Sequence, residues 1–386
     1  MTHPRRTRLI NSSRVIYRLW LEDQLSRADL ASRLGLNKSS ISNIVNGLLE
    51  REIVQENTML DSSPKGGRRA IGLTLNKEYF MVIGMEIRSD SYTAIAIDLD
   101  GDVLFSETEP KGFTACSFDE EISALIESLC RRLASLRRHL LGVGIGFSGI
   151  IDGESQIINR SVSLGFRQPF DFKTEVASRF PFPVFLENDA NCGAWGEMVF
   201  QKKRELKNFL FILIEFWKQY EALSDQPQPT IGLGFGLNGK IYHGSSGQAG
   251  EFKSIFNRDA FSSKQVALPA GTSVMQSETA LRDYIQEICE NIAFLINTLD
   301  IEQVFIGGNI EPFKSFMPQM LRMAIEGNSL EHSAAHCQIQ FSSLGYQAVS
   351  FGAAALIIDR VLMHIEPFSD DVASQSSRLS HLLSDA

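Results

Sequence analysis

The chain has 386 residues, 44% of them hydrophobic and 22% charged, which is too much for one ordinary core and fits a globular protein of two or three domains. Its five cysteines (Cys116, Cys130, Cys192, Cys289 and Cys337) stand far apart without paired spacing, and its longest apolar run, 209–217, is interrupted by Glu215, so neither a disulfide framework nor a membrane span is expected. The net charge of −9 is unevenly placed: residues 1–75 hold twelve Arg or Lys against seven acids, a net +5, which leaves −14 for the rest.

A basic head on an acidic body suits a module that approaches phosphate while the body stays soluble. In the head, Val15, Ile16, Leu19 and Trp20 repeat at helical spacing. A second helix follows, with Ser26 as its predicted N-cap, Asp29 at the capping-box position, and Leu30 and Leu34 facing inward. Gly35 supplies a sharp turn, and Asn37 caps a third helix over 38–51 whose apolar face is Ile41, Ile44, Val45, Leu48 and Leu49. The opposite face presents Lys38, Ser39, Ser40, Ser42, Asn43 and Asn46, short polar groups able to reach base edges and phosphates from a major groove. Two strands, at 53–55 and 70–75, then predict a hairpin whose loop carries Lys65, Arg68 and Arg69 beside two glycines, suited to the DNA backbone or a narrow minor groove. A solvated three-helix module for protein contacts is the alternative; the turn glycine, the polar face, the arginine loop and the local charge together favour double-stranded DNA.

In the body, strands are predicted at 81–87 and 92–98, a helix at 120–140, and strands at 141–149, 182–186 and 209–214. A glycine-rich stretch from Gly232 follows, then a long helix with Ile285, Ile288, Ile292, Leu295, Ile296 and Leu299 on one face, leading into Val304-Phe305-Ile306-Gly307-Gly308-Asn309. Strands alternating with helices, with glycines at strand ends, indicate an α/β body of two lobes.

Several segments carry a resemblance: 26–52, Gly146-Phe147-Ser148-Gly149-Ile150-Ile151-Asp152-Gly153, Glu187-Asn188-Asp189-Ala190-Asn191, Gly244-Ser245-Ser246-Gly247-Gln248-Ala249-Gly250-Glu251, and Gly307-Gly308-Asn309. Together they resemble the ROK family of repressors, open reading frames and sugar kinases, in its transcriptional repressor branch. The resemblance implies an N-terminal winged helix-turn-helix joined to a two-lobed, actin-like (ribonuclease-H-like) sugar-kinase fold. Its expected bounds are 1–76 for the head, 77–195 and 196–366 for the lobes, and 367–386 for a tail. Asp189 stands where family kinases keep the carboxylate that takes a hydroxyl proton, and Asn188 where a sugar hydroxyl is bound. Ser148, Gly149 and Glu251 complete the effector residues that the resemblance implies, with Glu187 as a further candidate.

Departures from the family pattern argue against phosphoryl transfer. Family kinases begin the nucleotide cradle with an Asp-x-Gly-Gly-Thr turn, whereas this chain has Glu86-Ile87-Arg88-Ser89-Asp90, without glycines for close amide approach and with a carboxylate that would repel phosphate. The family's structural zinc site needs a His and a cluster of cysteines. Here Ser254 stands at the His position and no Cys lies between Cys192 and Cys289, so no metal and no cofactor are expected. Ser148 replaces a common proline, 161–165 departs from the usual Asn-Leu-Gly segment, and a polar insert at 218–230 stands where a nucleotide would dock. The expectation is a cytoplasmic, sugar-responsive DNA-binding regulator, a dimer or tetramer that reads two half-sites. An active sugar kinase with a DNA-binding head, and a regulator that has lost its sugar, stay open as alternatives.

Overall fold

A computed structural model describes residues 3–22, 24–59, 70–201, 206–216, 229–258, 265–267, 274, 277–329 and 337–363. In the head, α1 (His3–Leu21), α2 (Arg27–Leu34) and α3 (Lys38–Glu50) precede the antiparallel strands β1 (Val54–Met59) and β2 (Ile71–Leu75). Local chemistry sets the boundaries. Ser26 accepts from the Asp29 amide while the Asp29 carboxylate accepts from the Ser26 amide, a reciprocal capping box. Gly35 ends α2 at φ +63°, where a side chain would be strained, and the Asn37 carboxamide oxygen accepts from the Ser40 amide at 2.7 Å to open α3. Val15, Ile16, Leu30, Ile41, Val45 and Leu73 are buried together between the helices and the hairpin. The first helix is longer than its apolar periodicity indicated, because the sequence of its N-terminal part is basic and has no apolar repeat.

The body contains two five-stranded sheets. In the first, β3 (Phe80–Ile87), β4 (Ser91–Ile97) and β5 (Val103–Pro110) form an antiparallel meander. After α4 (Phe118–Leu133), β6 (His139–Phe147) pairs parallel with β3. A small antiparallel sheet of β7 (Ile150–Asp152), β8 (Ile157–Arg160) and β9 (Phe170–Asp171) follows, then α5 (Phe172–Glu175), β10 (Val184–Asn188) parallel to β6, and α6 (Asp189–Phe200). The second sheet repeats the scheme. An antiparallel meander of β11 (Phe209–Phe216), β12 (Pro229–Leu237) and β13 (Lys240–Tyr242) is followed by α7 (Glu278–Leu299), β14 (Gln303–Gly308), α8 (Met317–Gly327) and β15 (Gln338–Phe341), the last two strands parallel. Strand orders β10-β6-β3-β4-β5 and β13-β12-β11-β14-β15 are the same arrangement twice, the duplicated ribonuclease-H-like topology of an actin-like body.

Two helices join the lobes. The last one, α9 (Ala348–Ile358), lies on β3 and β6 of the first sheet and crosses α6, which lies on β11 and β12 of the second. Close approach demands small residues: a Cβ on Gly352 would run into the Cys192 carbonyl, and one on Gly84 into the Ser350 carbonyl. From α9 the chain enters a π-helical turn, Asp359–Met363, whose Val361 and Leu362 share one buried cluster with Val15, Ile16, Leu19 and Trp20 of α1. The Trp20 indole also donates to the Leu99 carbonyl at 2.7 Å, so α1 is seated on the first lobe.

The structure shifts some predicted bounds. Helix α4 stops at Leu133, well before 140, because a 3-10 turn (Ala134–Leu136) and Arg137 at φ +52° reverse the chain, and β6 starts at His139. Strand β10 begins at Val184, since Pro181 and Pro183 have no amide to donate to the ladder. The loop residues Lys65, Arg68 and Arg69, most of the 218–230 insert, and the 367–386 tail lie outside the described residues. Among the described residues, no helix is long and apolar enough to cross a membrane.

Candidate DNA-binding face and ligand cleft

The outward face of α3 is polar by composition and exposed by packing. Lys38, Ser39, Asn43 and Asn46 are exposed, while Ser40 and Ser42 are half-buried. The Ser39 hydroxyl donates to the Asn37 carboxamide at 2.8 Å, holding the first turn. Asn46 accepts from Arg27 at 2.9 Å, and the same guanidinium reaches Glu56 at 3.3 Å, so one arginine ties α2, α3 and β1 together. Asn46 is thus partly committed inside the head, whereas the N-terminal turn of α3 offers Lys38 together with the positive end of the helix dipole.

The cleft forms where β6, β10 and the N-terminus of α6 meet the second lobe. Asn188 caps α6: its oxygen accepts from the Ala190 and Asn191 amides at 3.0 and 3.2 Å, and its nitrogen donates to the Gly149 carbonyl at 3.1 Å. The Ser148 carbonyl accepts from the Ser161 and Ser163 hydroxyls at 2.6 and 3.4 Å. Asp189 opens α6 beside Gly232, which bridges to Glu251 across the second lobe. Burial, together with the negative charges of Glu215 and Glu251, pushes the Asp189 carboxyl up to about 7. Burial also raises the Glu251 carboxyl, against the pull of Arg160. Ser148, Gly149, Asn188, Asp189 and Glu251 therefore converge on one cleft.

Glu187 has a different setting. It is fully buried and accepts from the Asn188 amide at 2.9 Å, the Asn191 carboxamide at 3.2 Å, the Trp195 indole at 3.4 Å and His243 at 2.8 Å. Burial opposes its ionisation, but the His243 hydrogen bond and charge prevail and hold its carboxyl below the usual range. Burial likewise opposes protonation of His243, and Glu187 outweighs it, raising the imidazole. A carboxylate so fully engaged holds the loop around it in place.

A second ionic group spans the lobes. Arg88, just past the end of β3, lies 2.7 Å from Glu86 and 2.5 Å from Glu215 of β11. Burial and the nearby Glu215 push the Glu86 carboxyl up to about 8. Burial opposes the Arg88 charge, yet Glu215 and Glu86 raise its affinity for its proton. At the position that family members use for a zinc-binding His, the buried Ser254 hydroxyl accepts from the Asn291 carboxamide at 3.1 Å, and the Asn291 oxygen accepts from the Ile255 amide. A hydroxyl and a carboxamide are poor zinc ligands, so these residues do not fit that metal.

The model of the ROK family matches residues 82–255 and 253–360. The chain belongs to the ROK family. Within that family it is 24% identical over 385 residues to the xylose repressor of Bacillus subtilis (strain 168), covering 92% of this chain and 96% of the repressor. Its fold is that of a ROK family transcriptional regulator described as a homologue of the E. coli MLC protein, with a TM-score of 0.74 at 18% identity over 99% of this chain and 100% of that one. A ROK family glucokinase from Streptomyces griseus, solved with glucose and AMPPNP, matches with a TM-score of 0.54 at 19% identity over 72% of this chain and 98% of the kinase.

Four residues of the cleft escaped sequence reasoning as site residues: Glu86, Glu215, His243 and Arg360. Glu215 interrupts an otherwise apolar strand, FLFILIEF, and a charge at the end of a buried strand was the available signal. Arg88 was noticed only as a missing glycine. His243 and Arg360 have no local signature, because their convergence around Gly153 comes from three distant segments.

Proposed function

We propose that this chain is a DNA-binding transcriptional repressor of carbohydrate genes, controlled by a sugar bound between two kinase-like lobes. The observation that carries the reading is the combination of a head of three helices and a two-stranded hairpin with a regulator-like fold that extends over 99% of the chain, where the glucokinase reaches 72%. Lys38, Ser39, Ser40, Ser42 and Asn43 of α3 meet the major groove, with Asn46 held back by Arg27, and the loop arginines Arg68 and Arg69 meet the backbone. Asn188, Asp189 and Glu251, with the loop at Ser148 and Gly149, receive sugar hydroxyls. Two copies of the chain place two heads on an inverted repeat, as the symmetry of such sites requires. The cytoplasm is where such a regulator meets its DNA.

Phosphoryl transfer is not part of the reading. Stabilising the charge of a moving phosphoryl group needs close amides and cations. The turn after β3 carries Arg88 and Ser89 in place of glycines, and its one cation is bound by two glutamates. Neither zinc nor a nucleotide is required. Selection of fragments from the protein's own genome by the purified chain, followed by footprinting, tests the proposal. A protected inverted repeat released by D-xylose or another free sugar is expected. A coupled assay showing sugar-dependent ATP consumption that Asp189→Asn abolishes would overturn the non-enzymatic reading.

A further inference from the structure

We propose that Arg88 is a cross-lobe clasp: by binding Glu86 of its own lobe and Glu215 of the other, it holds the cleft closed without a nucleotide and sets the position of the DNA-binding head. The argument starts from topology. β3 and β11 are the central strands of two sheets with the same strand order, so their carboxyl ends are equivalent places on the two sides of the cleft. In α/β folds such strand ends are where ligands are held. Here the two ends are joined by the protein itself. Arg88 Nε donates to Glu86 at 2.8 Å, and an Arg88 Nη lies 2.5 Å from Glu215, 127 residues away in the chain.

Burial makes this contact more than a surface ion pair. The Glu86 and Glu215 side chains are 3% and 6% exposed and that of Arg88 is 28% exposed. Removing one partner would leave charge stranded in a poorly solvated place. The second Glu86 carboxyl oxygen is buried without a hydrogen-bond partner among the described residues.

The clasp is also placed to transmit. Asp189, at the start of α6, feels both Glu215 and Arg88, so a ligand on Asp189 acts within the electrostatic reach of the pair. Helix α6 packs along α9, and α9 rests on β3, the strand leading to Arg88. The same helix continues into the 359–363 turn that is buried against α1 of the head. A change in lobe spacing at the clasp therefore moves a continuous packed path to the winged helix.

This inference rests on the regulator reading for its link to DNA, but the clasp has a readout of its own. Spin labels are attached to the full-length chain through Lys173→Cys on the first lobe and Glu311→Cys on the second, both exposed, with the exposed Cys116 changed to Ser. Arg88→Ala and Glu215→Gln are each expected to lengthen the inter-lobe distance. The swapped pair, Arg88→Glu with Glu215→Arg, is expected to restore it, and thermal melts identify any variant that has not folded. Bound to the footprinted duplex, each single variant is expected to change affinity at least about 5-fold, with the swap returning towards the parent. Distances that stay the same in both single variants, or a folded swap that remains as open as they are, overturn the clasp. Restored distances with no DNA binding by the parent chain uphold the clasp and overturn the regulator reading instead.

Discussion

The outward face of α3 and the cleft between the lobes are both rich in Asn, Ser and charged residues, yet they differ in how far those groups are already engaged. On α3, Lys38 and Asn43 stand in solvent on a helix whose other side is buried in the head. In the cleft, Asn188 caps a helix and holds Gly149, Glu187 accepts from four donors, and Arg88 binds two glutamates. The first surface offers its polarity to a partner; the second has internalised most of it. Residue type and position alone cannot distinguish the two conditions, because the difference lies in what the tertiary structure brings within 3 Å.

The comparison can be broken most directly at Glu187. Replacing it by Ala strands the His243, Asn191 and Trp195 donors and is expected to cost about 3 kcal/mol or more, lowering the thermal transition by several degrees. A variant that loses sugar response at unchanged stability would return Glu187 to ligand contact. On α3 the opposite pattern is expected: Lys38→Ala and Asn43→Ala each weaken DNA binding by about 1–3 kcal/mol, the lysine change also flattening the salt dependence, while melting stays within about 0.5 kcal/mol of the parent.

A pH series sharpens the electrostatic side. Glu86, Asp189 and His243 all bind protons more tightly in the folded chain, the two carboxyls at about 8 and about 7. Their contribution is fully present below the unfolded carboxylate range, and it is lost as pH rises through 7 and 8. The depressed carboxylates, Glu187 and Asp152 among them, act oppositely and have completed their gain by about pH 5. Stability should therefore fall between about pH 5.5 and 8.5, by an amount on the order of 2 kcal/mol, and Glu86→Gln should flatten that fall. A melting temperature that climbs over this range contradicts the assignment. The smallest effect is expected at Asn188→Ala, where loss of the cap costs about 1 kcal/mol of stability; Asn188→Asp keeps the acceptor and should recover most of it.

Helices α2 and α3 of the head were legible almost to the residue, because their signals are local: a capping box at Ser26 and Asp29, a left-handed Gly35, an Asn37 cap, and an apolar stripe with the helical period. The body was legible as alternating strands and glycines, and the family motifs supplied the lobes. Strand β5, VLFSETEP, was missed because it is an edge strand, largely exposed and without alternating apolar residues. Helix α9 was missed because its sequence, AVSFGAAALII, is apolar on every side and carries no period, as a helix buried between two lobes requires. The clasp was beyond reach for a third reason: Arg88 and Glu215 become neighbours only once both sheets exist.

The central claim is that the head binds operator DNA and the body relieves that binding when a sugar enters the cleft. Titration of the purified full-length chain against its footprinted duplex, with and without saturating D-xylose or the sugar selected by a thermal-shift screen, measures it directly. The account predicts a salt-sensitive complex whose affinity falls about 5- to 150-fold with sugar, and a sugar affinity that falls by the same factor with DNA. A chain that shifts no duplex from its own genome at low ionic strength, or binds DNA and sugar with no mutual effect, contradicts it.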